Sequence, residues 1–386
     1  MSQYFDIAVV GAGPSGSMAA FAAAKAGKSV VLFERNVTPG VPVRCGEGIG
    51  MRSLVAHSEA RPEWIRQQIS GSVMIAPDGT RVAIADIDKS VILDRARMDG
   101  DLAKDAENAG AKLLVRTAVT AINRNNNMKY RLTTGNDSFE AGIVILADGV
   151  ESRLARQLGW NTRLDANDIE SCAFTRVTSP LIDQDACMFY VGSQVAPGGY
   201  AWIFPRGKGE ANVGLGLSGT RSSAGAAKEY LLRFIDREIP GGTTAGMHCG
   251  GVPVTRYVRP LVRDGIMLVG DAARQVNCLS GAGIAYSLFA GKCAGTVAAA
   301  SFSTNGIDYS LLRQYEKQWK KRYGKQQERS YVLKEFVTRH TDDGFLNNIA
   351  AKLSKKRGDK IRYLTVFLST FSRHPVLMFK AFKLFG

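Results

Sequence analysis

The chain has 386 residues, 45% of them hydrophobic and 22% charged, proportions that exclude wholesale disorder and collagen-like repeats. At about 100–200 residues per domain, the length predicts two domains and an appendage. The net charge of +15 is uneven: residues 316–386 hold 17 Lys and Arg against 6 Asp and Glu, so the surplus sits in the last segment, where an anionic membrane, an acidic protein or nucleic acid would be met.

Residues 5–10 are a short apolar run and predict a buried strand. Gly11-Ala12-Gly13-Pro14-Ser15-Gly16 follows. Residues 17–25 are alanine-rich and predict a helix that Gly27 ends. Residues 30–33 predict the next strand, closed by Glu34, giving a strand–turn–helix–strand unit of about thirty residues. Residues 70–93 predict short strands around a turn at Pro77-Asp78-Gly79. Residues 94–109 have helical periodicity, 111–119 predict a strand and 123–127 a polar hairpin turn. A buried strand at 143–146 ends at Asp148-Gly149. From about 170 to 255, strand-like runs alternate with Gly and Pro turns. A last buried strand, 266–269, ends at Gly270-Asp271, and a small-residue helix spans 282–300. After 305 the pattern is helical and basic.

Three strands far apart in sequence thus end in Gly or Asp corners. This predicts an α/β fold: one nucleotide-binding domain assembled from 1–69, 94–165 and 256–302, a β-rich substrate domain from 70–93 and 166–255, and a basic helical region over 303–386.

The spacing of Gly11, Gly13 and Gly16 has a physical reading. The first glycine permits a tight turn, the second lets backbone touch a pyrophosphate, and the third lets helix and strand pack closely. The helix N-terminus supplies free N–H groups and partial positive charge. Glu34, with Arg35 beside it, ends the second strand where a carboxylate can accept both ribose hydroxyls. A nicotinamide dinucleotide and FAD both suit this motif. The later corners favour FAD: Asp271 can bond a ribityl hydroxyl, and Gly281-Ala282-Gly283-Ile284 opens a helix whose amides can face the pyrimidine edge of a flavin.

Tyr200, Trp202 and Phe204 alternate, so on a strand they share one face. That face is either ordinary core or the wall of an apolar tunnel. A polyprenyl chain needs such a wall, because it binds by buried area alone, at about 0.8 kcal/mol per CH₂. The six cysteines, at 45, 172, 187, 249, 278 and 293, show no zinc-ligand spacing, so no metal is expected, and six thiols predict a reduced, cytoplasmic protein. Cys45 lies in a Gly-rich loop, where it is either a small hydrophobe or a group touching the cofactor. No run reaches ~18 uninterrupted apolar residues, and the N-terminus does not read as a signal peptide. In the tail, Leu364, Phe367, Leu368 and Phe371 fall at helical spacing among Lys and Arg. This predicts a basic amphipathic helix that lies in a membrane interface or packs on the cofactor domain.

The corners GAGPSG at 11–16, DG at 148–149 and GDAA at 270–273 resemble the glutathione-reductase and p-hydroxybenzoate-hydroxylase type of Rossmann-like FAD fold. Val43-Arg44-Cys45-Gly46-Glu47-Gly48 resembles the cysteine-bearing flavin loop of geranylgeranyl reductases. Residues 197–205 match that family's P-x-x-Y-x-W-x-F-P box in every specified position. The resemblance covers residues 1 to about 300 and is nearest to the archaeal-type digeranylgeranylglycerophospholipid reductases. It implies FAD contacts at Ser15, Glu34, Cys45, Gly46, Gly48, Arg95, Val119, Asp271, Gly283 and Ile284, with Gly11, Gly13, Gly16, Arg35, Asp148 and Gly281 completing the cradle. It places Cys45, Tyr200 and Trp202 at the chemistry and Tyr200, Trp202, Phe204 and Pro205 at the substrate.

The resemblance implies a reductase that saturates isolated double bonds of geranylgeranyl chains by hydride from flavin N5, with Cys45, a nearby residue or water giving the proton. NAD(P)H or reduced ferredoxin would be the electron donor, a polyprenyl lipid the substrate, and the inner face of the cell membrane the site of peripheral attachment through the basic tail. No nucleic-acid partner is expected, since no reading module is present. Two other readings fit the same fold: a monooxygenase of an aromatic or prenylated quinone, and a flavin- and lipid-binding electron carrier without turnover. A halogenase fits less well, because no W-x-W-x-I-P box occurs.

Overall fold

A computed structural model describes residues 3–84, 89–125, 129–135 and 137–354. Its first sheet runs in the order Val262–Arg263, Ile266–Leu268, Asp137–Leu146, Gln3–Val10, Val30–Phe33, Lys112–Leu114. Gln3–Val10 pairs in parallel with Asp137–Leu146 on one side and Val30–Phe33 on the other. The strands are near-continuous Val, Ile, Leu and Ala because both faces of a parallel sheet are covered. Ile7, Val9, Ile143 and Ile145 are wholly buried.

Helices Pro14–Lys25 and Ile284–Ala300 cross in close contact. They approach because glycine stands where they touch: a methyl group at Gly291 would lie 2.0 Å from Ser15 O, and one at Gly295 2.2 Å from Ala19 O. The other edge of the core is the antiparallel meander Val119–Arg124, Tyr130–Thr134 and Asp137–Leu146.

The predicted strand over 111–119 is therefore two. Lys112–Leu114 joins the parallel sheet, and Val119–Arg124 begins the meander. Between them Arg116 adopts φ +52, and the Arg116 and Thr117 amides donate to Asn36 O and Glu34 O, which turns the chain out of the sheet. The expected hairpin turn at 123–127 falls partly outside the described residues. The predicted 282–300 helix begins at Ile284, two residues later.

The second sheet has eight strands, with Ile169–Thr178, Glu210–Ser218, Tyr200–Gly207, Ala186–Tyr190 and Gly71–Ile75 at its centre. One face carries Val177, Val213, Leu215, Ala201 and Ile203, which pack on Leu231, Phe234 and Ile235 of helix Ala226–Glu238. The opposite face looks toward the first domain. Of the segment 70–93 assigned by sequence to this region, Gly71–Ile75 and Arg81–Ile84 join the sheet. Ser90–Leu93 does not. It is the middle strand of a small sheet between Gly48–Gly50 and Ile65–Gln68, because its apolar residues Val91 and Leu93 pack with Leu54, Trp64 and Met98 instead.

The region after 303 is also more integral than its basic composition predicts. Tyr315 and Trp319 are fully buried in the parallel-sheet core. Helix Lys325–His340 then folds back over the 270–278 loop, with buried Gln327 donating to Val276 O and Ser330 Oγ accepting from the Cys278 amide. The amphipathic run over 361–385 lies outside the described residues.

Candidate active site

The first corner is built by exclusion. Gly11 has φ +100, and a methyl group there would lie 2.3 Å from Ala147 O. At Gly16 it would lie 1.8 Å from Gly11 O. At Gly13 it would meet nothing within 4 Å. The outer glycines are thus dictated by the protein's own packing, and the middle one borders open space at the N-terminus of helix Pro14–Lys25. Glu34 is buried behind this corner. Its two carboxylate oxygens accept from the Ala12 amide at 3.0 Å and the Asn36 amide at 2.8 Å, which fixes it at the end of its strand. Ser15 is buried with its hydroxyl against Gly270. Val119 packs against the parallel-sheet core.

The second and third corners meet at one cavity of about 250 Å³, which Asp148, Gly149 and Asp271 line. Arg35, Cys45, Gly46, Asp148, Asp271 and Trp202 all line it, as do Arg44, Cys172 and Phe174, which the sequence did not single out for this site. Asp148 has one oxygen accepting from the Leu154 amide and the other, Oδ1, buried without a partner. Burial raises its carboxyl to about 6. Burial also raises Asp271, with Arg95 opposing the shift. Gly283 stands next to Asp271 Oδ1, and Gly281 next to Val252, a cavity-lining residue, so the start of helix Ile284–Ala300 borders the same space. The open Gly13 turn at a helix N-terminus, and a cavity lined by two corner aspartates of which one keeps an orphaned oxygen, fit FAD.

Arg95, at the start of helix Arg95–Asn108, acts electrostatically on both Asp271 and Cys45. It forms a two-point ion pair with Asp99, at 2.9 and 2.8 Å, and both side chains are largely buried. Burial pushes the Cys45 thiol up, and the Arg95 charge draws it part of the way back. All six cysteines are free, so no disulfide involves Cys45. Cys278 and Cys293 donate elsewhere, to Thr255 O and Gln318 Oε1.

The aromatic strand confirms the alternation and divides its members. Trp202 lines the cavity, and its ring stacks on Phe204 at 5.9 Å between centroids. Phe204 lies under the loop, 3.3 Å from where a methyl at Gly46 would sit. The Tyr200 hydroxyl donates to Ser280 O at 2.7 Å, tying the strand to the loop before Ile284. Pro205 pairs with Ala211 and, by alternation, shares the face of Ala201 and Ile203. It is not on the Tyr–Trp–Phe face. Gly214 makes room for the indole: a methyl there would lie 2.3 Å from the Trp202 ring.

Sequence reasoning missed the group that joins strand to loop. Trp202 Nε1 donates to Asn212 Oδ1 at 2.9 Å, and Asn212 Nδ2 donates to Cys45 O at 3.0 Å and Glu47 Oε2 at 3.1 Å. Arg206 donates to the same Glu47 oxygen and to Leu93 O. Two signals pointed there: Arg206 has the parity of Trp202, and the Lys208-Gly209 turn brings Asn212 opposite Phe204.

Comparison with known proteins places this arrangement. The family described as geranylgeranyl reductase catalytic domain matches residues 168–252, and that described as FAD dependent oxidoreductase matches 6–167. A digeranylgeranylglycerophospholipid reductase of Methanothrix thermoacetophila is 42% identical, covering 88% of this chain and 88% of its own. The chain belongs to the digeranylgeranylglycerophospholipid reductase family. A second member of that family, from Methanococcoides burtonii, is 35% identical and covers 100% of this chain and 96% of its own. A crystal structure of a geranylgeranyl bacteriochlorophyll reductase-like protein from Thermoplasma acidophilum superposes with a TM-score of 0.91 at 31% identity, covering both chains completely. A p-nitrophenol 4-monooxygenase from Pseudomonas putida shares the fold, with a TM-score of 0.72 at 16% identity, 96% of this chain and 97% of that one. As a member of the digeranylgeranylglycerophospholipid reductase family, the chain is an FAD-dependent oxidoreductase. Among the described residues no helix is long and apolar enough to cross a membrane, and no His, Cys, Asp and Glu cluster has the makings of a metal site.

Proposed function

We propose that this enzyme saturates isolated double bonds in the geranylgeranyl chains of membrane ether phospholipids. The observation that carries the reading is the position of Trp202: it stands on the cavity that the Cys45–Gly46 loop, Asp148 and Asp271 also line. FAD, when bound, supplies the hydride. Glu34, the Gly13 turn, Asp148 and Asp271 would hold it. The protein's remaining task is to keep a barely polarised alkene in place and dry, since misplacement of about 1 Å costs on the order of 10²-fold. Trp202 and Phe204 offer that wall. Tyr200 fixes its edge through Ser280. Cys45 adds a neutral thiol, because its burial holds it protonated at neutral pH.

The test is product analysis with purified, FAD-loaded enzyme under anaerobic reduction. A geranylgeranylated ether phospholipid is expected to gain hydrogen, two atoms per bond, by mass spectrometry. Trp202→Ala is expected to lose about 10²-fold in turnover while retaining FAD. An oxygen-dependent, oxygenated product would instead establish the monooxygenase reading, and absence of any product the electron-carrier reading. Running the reduction with NAD(P)H and with reduced ferredoxin identifies the donor.

The basic, apolar 361–385 segment supports attachment to an anionic membrane surface, at about 1 kcal/mol per Lys or Arg near the lipid. Deleting 361–386 is expected to release the protein from sedimenting anionic vesicles without loss of FAD. Unchanged sedimentation would remove the tail from membrane binding.

A further inference from the structure

The cavity face of the second sheet carries an acid that none of the foregoing uses. Glu170, Cys172 and Phe174 alternate along Ile169–Thr178 and so share a face. Cys172 and Phe174 line the cavity. In the next strand Gly216 stands opposite Cys172, and beyond it Tyr200 stands opposite Gly216. The Glu170 carboxyl leans over that glycine. A methyl at Gly216 would lie 2.9 Å from Glu170 Oε2 and 3.3 Å from Cys172 Sγ. On the other side Glu170 pairs with Val252, also a cavity residue. The carboxyl thus lies over Gly216, beside Cys172, on the sheet face whose Cys172 and Phe174 line the cavity.

Nothing structural accounts for an acid there. Glu170 is only 7% exposed, yet no hydrogen bond within the described protein stabilises its carboxyl. Lys334, on helix Lys325–His340, is the charged group that acts on it, and the Lys334 ammonium itself bonds Asn167 O and Glu335. The facing residues of the neighbouring strands, Ser218, Gly216, Tyr200 and Val252, carry no charge at neutral pH, and the 277–283 loop has no charged residue. The thiol of Cys172 is itself held protonated by burial.

We propose that Glu170 is the acid of the saturation step, its carboxyl giving the proton that the second alkene carbon takes. This rests on the reductase reading above. The π bond breaks, one carbon takes the hydride pair of the cofactor-dependent reaction, and the other takes the Glu170 proton. The carboxylate left behind is reprotonated from solvent. Burial raises this carboxyl to about 7, against the smaller opposing effect of Lys334. It is therefore protonated in a large fraction near neutrality and is a far stronger acid than the Cys45 thiol, whose own burial moves it upward from an already higher range. The acid form is the active one, so turnover falls as pH rises through about 7.

The experiment uses the FAD-loaded full chain and a geranylgeranylated ether phospholipid. Glu170→Gln is expected to lower the anaerobic single-turnover rate by about 10²–10³-fold and to abolish the alkaline limb of the pH profile, with FAD affinity unchanged. Glu170→Asp, which keeps an acid, should recover part of the rate. Lys334→Met removes the opposing charge and should move that limb to higher pH, a shift that a merely structural Glu170 would not produce. In the wild-type holoenzyme an infrared carboxylic-acid band should disappear with a midpoint near pH 7 and be missing from Glu170→Gln. A Glu170→Gln enzyme with wild-type rate and profile, or a wild-type enzyme with no carboxyl titrating near pH 7, overturns the proposal. A wild-type enzyme that saturates nothing overturns the reductase reading instead.

Discussion

Gly291→Ala is expected to lower the melting temperature by on the order of 10 °C and to give protein that holds little FAD. In an exposed helix the same change is favourable, since alanine lowers the entropy cost of helix formation by up to about 1 kcal/mol. Here the added methyl would fall 2.0 Å from Ser15 O, and that atom is backbone in helix Pro14–Lys25, with no rotamer to move. The two helices must separate. Overpacking of this kind costs about 3 kcal/mol at the upper end of its usual range, and a domain of this size loses roughly 2–4 °C per kcal/mol. Separation also shifts Ser15 and Gly16, the residues that seat the corner against Gly11 and Gly270, which is why FAD content should fall with stability. Gly100 supplies the control. It lies within helix Arg95–Asn108, and a methyl there meets nothing within 4 Å, so Gly100→Ala should raise the melting temperature slightly. Thermal unfolding with flavin quantitation reads both, and equal effects at the two positions would sink the close-packing argument.

What was legible in the sequence was whatever depends on short-range pattern. The parallel strands announce themselves as apolar runs. The Gly11, Gly13 and Gly16 spacing carries its own steric logic, and the alternation of Tyr200, Trp202 and Phe204 placed three rings on one face. What was not legible depends on partners far away in sequence. Ser90–Leu93 reads as one more strand of the β-rich region, and only packing against Leu54, Trp64 and Met98 assigns it to the small sheet. Pro205 entered the substrate set with its motif, though its parity places it on the other face. Arg95 entered the cofactor set through the resemblance, and the depth at which Asp99 meets it cannot be seen in i, i+4 spacing. Glu47 and Asn212 resemble solvated loop and turn residues until the fold closes over them. Glu170 looks like the polar side of an alternating strand, and that side turns out to face the cavity.

Glu47→Ala is expected to cost about 3–5 kcal/mol, the range for removing one partner of a buried ion pair. The side chains of Glu47 and Arg206 are 0% and 1% exposed, so water cannot replace what is lost. The guanidinium would keep Glu210 at 2.7 Å and Leu93 O at 3.1 Å, but Glu210 is itself partly exposed and leaves the buried charge under-compensated. Asn212 would lose one of two acceptors that fix the Cys45–Gly46 loop against Trp202, so the variant's FAD affinity should fall with its stability. The pair is a matter of removing one partner, not of the charge pair being intrinsically favourable, since two charges pay heavily for leaving water. Glu47→Ala with Arg206→Met should therefore recover much of the stability that either single change loses. The exposed pair Lys104–Glu107 is the comparison: Glu107→Ala should change stability by less than about 1 kcal/mol. Denaturant unfolding of the four proteins closes the cycle. If the two buried changes simply add in the double variant, Glu47 and Arg206 do not act as a unit, and the Asn212 bond to Cys45 O and packing hold the loop against the aromatic strand without them.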